Sequence, residues 1–134
     1  MLRWTLVMAT LLIGFSPGLS HVQDEQQATS TPEIMQEKLD RAQILLEAVV
    51  LRDYPTVIEQ AERLRYLSEF QSWFVLPTPE YAQHSEEFRA AAKAAVEAGT
   101  DENAEGVSAS YFAMVDECVQ CHEYLSRVRA ESKR

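Results

Sequence analysis

The residues best equipped for chemistry are Cys118, Cys121 and His122, gathered in the run Cys118-Val119-Gln120-Cys121-His122. Two thiols three positions apart, followed at once by an imidazole, make the C-x-x-C-H pattern. Its chemistry is haem attachment: the thiols add to the two vinyl groups of the porphyrin, and the next residue places an imidazole under the iron. Thiol-redox and zinc sites share the first four residues. Zinc would need two further ligands, yet the chain has no other cysteine and only His21 and His84 besides His122. A thiol-disulfide enzyme would need a strand-to-helix setting that the sequence lacks. A disulfide between the two thiols would close a loop too small to stabilise much. The expectation is one covalently bound haem c, with Cys118 and Cys121 as its thioether partners and His122 as an axial iron ligand.

Four amphipathic helices are expected to position this motif. Thr31-Pro32-Glu33 starts the first, with a hydroxyl to cap, a proline tolerated in the first turn and an acid to meet the dipole. Met35, Leu39, Ala42, Leu46 and Val49 then give an apolar stripe to about Leu51. Asp53 caps the second helix, and Val57, Ala61, Leu64 and Leu67 form its buried face. Phe70 to Pro77 is apolar but irregular and reads as a loop packed onto the domain. Thr78-Pro79-Glu80 repeats the helix-start grammar, Tyr81, Phe88, Ala91, Ala92, Ala95 and Val96 form the third stripe, and Gly99 suits a C-cap. The fourth helix starts between Thr100 and Asn103 and runs to about Arg129, with Val107, Tyr111, Met114, Cys118, Cys121, Leu125 and Val128 on its seam. Short connections and no alternating strand pattern predict an all-α, antiparallel four-helix bundle over residues 31–130.

Ahead of the bundle, Arg3, the apolar run Trp4 to Phe15 and the stretch Ser16-Pro17-Gly18-Leu19-Ser20 have the layout of a secretory signal peptide over residues 1–20, cut near Ser20. A polar leader, residues 21–30, follows it. The run is short for a bilayer span and no second one exists, so the mature chain is expected in the periplasm without a stable membrane span. Loss of Arg3 takes the formal charge from −9 to −10. That charge argues against nucleic acid as a partner, and an acidic face suits redox partner proteins with basic docking surfaces.

With the motif near the end of the last of four helices, and with Leu67-Ser68 and Trp73 before the middle loop, the chain resembles the class II cytochromes c. That family includes cytochrome c′ and low-spin relatives such as cytochrome c-556. The resemblance covers about Thr31 to Arg129. It implies that the first helix faces the distal side of the haem, where Met35 would be the sixth iron ligand opposite His122; Met1 and Met8 leave with the signal, and Met114 shares a helix with His122. A packing role for Met35 and ligation by His84 are the alternatives. The family often has a basic residue four positions after the haem histidine; here that position is Ser126, and Arg127 comes one later. Lys38, Arg41, Arg127 and Arg129 are candidates to meet a propionate, each also readable as a solvated surface charge. Glu86, Glu87, Asp116, Glu117 and Glu123 read as surface acids.

The expected function is single-haem electron transfer by a non-enzymatic carrier. Two other readings stand beside it: a five-coordinate binder of nitric oxide or carbon monoxide, and a haem-bearing structural module of a larger redox complex. The resemblance also implies a homodimer through the first two helices.

Overall fold

The computed structural model describes residues 30–69 and 75–134. The expected signal peptide, all but the last residue of the polar leader, and residues 70–74 of the middle loop, Trp73 included, lie outside the described residues. Four helices and no strands make up the described chain: α1 (Thr31–Leu51), α2 (Tyr54–Leu67), α3 (Pro79–Thr100) and α4 (Ala104–Glu131).

Each helix starts where a short polar side chain can take an otherwise unpaired backbone amide. Asp53 accepts from Thr56 N, Thr78 from Tyr81 N and Asn103 from Gly106 N. At α1 the cap is Ser30 rather than Thr31, and its amide and hydroxyl both donate to Glu33 Oε2 at 2.7 and 2.8 Å. Gly99 is not a C-cap. It is buried inside α3, where an added Cβ would meet Ile58 Cγ1 at 3.0 Å and Val57 Cγ1 at 3.3 Å, so glycine permits close approach of α2 and α3.

Side-chain pairs between consecutive helices run in opposite directions, as an antiparallel bundle requires. Arg63 donates to Glu37 and Arg41 to Gln60 across α1 and α2. Arg89 on α3 reaches the Ser68 carbonyl after α2, while Gly99 meets Ile58 at the other end. Across α3 and α4, Tyr124 meets Thr78 and Glu117 meets His84. Leu45, Val57, Ala61, Leu64, Phe88, Ala92, Ala95, Val107 and Met114 fill the centre.

The second, third and fourth stripes hold largely as expected. The first is displaced by one position, because the residues buried on α1 are Ile34, Lys38, Leu45 and Ala48, while Leu39 and Leu46 are exposed at 54% and 43%. The apolar band of α1 is wider than a bundle core needs. One half faces the core, and the half expected to be buried lies beside it, open.

Candidate functional site

The open half of α1 borders a cavity of about 670 Å³, within the range of roughly 300–1,000 Å³ usual for ligand sites. It lies where α1 and α4 touch far less closely than the other neighbouring helices. Met35, Leu39, Ala42 and Leu46 line it from α1, Phe88 from α3, and Met114, Val115, Cys118, Val119, Cys121 and His122 from α4. A second cavity of about 440 Å³ shares Pro32, Met35, Cys121 and His122 with the first and adds Tyr81, Ser126 and Arg129. The cysteine pair, His122 and Met35 therefore come together, on two different helices, around one largely apolar space.

On α4 the two cysteines are one turn apart and share a face. Cys121 is buried and packs with Tyr81 and Tyr124; Cys118 is half-buried at the edge of the main core. Burial pushes both thiols above their ordinary pKa, with the Lys38 charge opposing and Glu117 adding to the rise. Neutral thiols poorly suit disulfide exchange or nucleophilic attack, which use the thiolate. His122, next along the helix, is exposed and borders both cavities. Met35 is half-buried and packs against Ile34 and Leu67.

Lys38 overturns its reading as a surface charge. It is 5% exposed, its ammonium donates to Ser68 Oγ at 3.0 Å, and it stands over the Phe88 ring. Ser68 in turn donates to the Leu64 carbonyl. Burial pushes the Lys38 pKa down to about 7; Arg89 adds to the fall, and the two cysteines oppose it. The other propionate candidates divide. Arg41 pairs with Glu37 and Gln60, and Arg127 with Glu80, whereas Arg129 lines the second cavity.

Glu117 also leaves the surface role expected of it, and it does so together with His84. Their side chains are 11% and 13% exposed, both line the main cavity, and His84 Nδ1 lies 3.1 Å from Glu117 Oε2. With Glu87 they form a group whose ligand atoms all lie within 4.8 Å of one another and which could hold a metal ion. Tyr124, assigned no role from the sequence, is buried beside Cys121 and shares a 2.6 Å hydrogen bond with Thr78 Oγ1. Its position three residues after Cys121 was the available signal.

The residues present fit a covalently attached haem: two neutral thiols on one helical face, an adjacent imidazole and apolar walls on both α1 and α4. No helix among the described residues is long and apolar enough to cross a membrane. No family model matches the chain, and neither a curated protein nor a solved structure matches it.

Proposed function

We propose that the chain is an exported, single-haem c-type cytochrome of the class II kind that carries electrons in the periplasm. The observation that carries this reading is the convergence of Cys118, Cys121, His122 and Met35 on one apolar cavity between α1 and α4. Cys118 and Cys121 would hold haem c through thioether bonds, with His122 and Met35 as its axial ligands. Bound haem c supplies a one-electron iron centre whose potential a His/Met ligand pair raises. Leu39, Ala42, Leu46, Val115 and Val119 line the cavity with apolar side chains that a bound porphyrin would cover, and Arg129, which lines the second cavity, would meet a propionate. The acidic surface suits transient docking to basic redox partners.

The packing of Met35 against Ile34 and Leu67 favours a second reading, in which the methionine only fills space and the iron stays open to nitric oxide or carbon monoxide. Expression of the full chain with export and haem maturation tests both. Haem that survives denaturing electrophoresis, with a low-spin spectrum whose weak far-red sulfur-to-ferric-iron band disappears in Met35→Ala, is the expected result. A five-coordinate, high-spin spectrum in the unaltered chain would replace the carrier by the gas binder. No retained haem would end both.

A further inference from the structure

We propose that His84, Glu87 and Glu117 form a site for a divalent transition ion of the zinc class on the seam between α3 and α4. Two helices supply the donors. His84 and Glu87 are one turn apart on α3 and share a face, and Glu117 approaches from α4. All three ligand atoms lie within 4.8 Å of one another. The His84 Nδ1 to Glu117 Oε2 separation, 3.1 Å, is close to the roughly 3.3 Å between neighbouring donors of a tetrahedral shell at about 2.0–2.1 Å from zinc. Glu87 is exposed and completes the group from the solvent side.

Charge provides a separate argument. Exposed carboxylates such as Asp40, Glu47, Glu59 and Asp116 stand in water without a cationic partner among the described residues, and the half-buried Glu37 has Arg41 and Arg63. Glu87 accepts only from Gln83 Nε2, and Glu117 pairs only with His84, so among the described residues no lysine or arginine neutralises either acid. Two carboxylates held toward each other, one of them largely out of water, repel unless a cation joins them. One imidazole and two carboxylates suit a borderline ion such as zinc, whereas calcium and magnesium favour all-oxygen shells. Water would take the remaining position.

A histidine paired through Nδ1 to a carboxylate is also how a ligating ring is oriented, with Nε2 left for a metal. The same geometry would therefore serve His84 as an iron ligand, and the experiment separates the two roles. The haem-loaded full chain, stripped of metal with a chelator, is titrated with zinc against a chromophoric competitor. One zinc per chain is expected, unaffected by excess calcium, with affinity falling at least ~10-fold in His84→Gln and Glu117→Gln. Glu87→Gln, an exposed change, gives the same test if either of those variants fails to fold. The proposal is overturned by failure of the unaltered chain to take up zinc stoichiometrically, by undiminished affinity in the variants that fold, or by a zinc-free His84→Gln spectrum that has lost a haem ligand. If the chain retains no haem, the same titration on a Cys118→Ser/Cys121→Ser background reads this site alone.

Discussion

The Lys38 ammonium stands 3.3 Å from the centre of the Phe88 ring, a lysine of α1 reaching across the bundle interior to an aromatic of α3. The ring face and Ser68 Oγ offset part of the cost of taking the charge out of water. The amine also lies close enough to both cysteines to influence their titration. Lys38 therefore belongs to the buried wall of the cavity beside the two thiols, not to the solvated surface.

This placement makes the haem-free chain more stable in mild alkali. The Lys38 pKa is pushed down to about 7 from an ordinary 10.5, so between those values the unfolded chain binds more protons than the folded one. Stability then rises with pH, and the penalty is fully present below 7. Urea unfolding should show a gain of about 2 kcal/mol between pH 7 and 8.5. Lys38→Leu should remove that gain and be the more stable protein at pH 6.5. An equal slope in both proteins would show that the amine is not held in its charged-disfavouring pocket.

The cysteines limit that window from above. Their folded pKa values are raised, so the unfolded chain loses thiol protons first as pH passes the ordinary value of 9.0, and stability falls there. Below that point the folded, haem-free chain should alkylate with iodoacetamide at least ~10-fold more slowly than the urea-unfolded chain at the same pH. Mass spectrometry of the two cysteine-bearing peptides reads the rates. Equal rates would mean that neither thiol is shielded.

Arg52 closes α1 in the left-handed conformation, at φ 56° and ψ 36°, with the Asp53 amide donating back to the Ala48 carbonyl. A side chain costs about 1–2 kcal/mol in that conformation, and glycine avoids most of it. Arg52→Gly should raise stability by about 1 kcal/mol, offset a little by the greater freedom of the unfolded chain. Thermal unfolding should show a gain of a few degrees; an unchanged or lower Tm would mean that Arg52 contributes contacts worth as much as the strain.

The helices were legible because each begins with a short polar cap and carries an apolar stripe: Asp53 before Val57, Thr78 before Tyr81 and Asn103 before Val107 all sit where those rules put them. The register of α1 was less so. Met35, Leu39, Ala42, Leu46 and Val49 step by four and three, but Ile34, Lys38, Leu45 and Ala48 follow the same rhythm one residue earlier. Two stripes side by side indicate a helix with two apolar tasks, and Lys38 hid the second because a lysine is ordinarily counted as surface. Gly99 was ambiguous for a related reason. The same absence of a side chain that suits a helix end also suits a close crossing, and only its packing against Val57 and Ile58 distinguishes them. His84 and Glu117 lie on different helices, so their pairing had no local signal at all.

On the proposed haem reading, Met35 decides between the carrier and the gas binder, and its half-buried place beside Ile34 and Leu67 shows packing alone. Met35→Leu separates them more cleanly than truncation. Leucine conserves volume and apolarity, so as packing it should cost less than about 1.5 kcal/mol and leave the haem spectrum unchanged. If the thioether closes the iron, the same variant keeps its covalent haem through Cys118 and Cys121 but becomes high-spin and binds carbon monoxide readily, with a lower reduction potential. The expected outcome is the second, with stability nearly unchanged. A Met35→Leu protein that remains low-spin would move the sixth ligand elsewhere, to be sought next with His84→Gln.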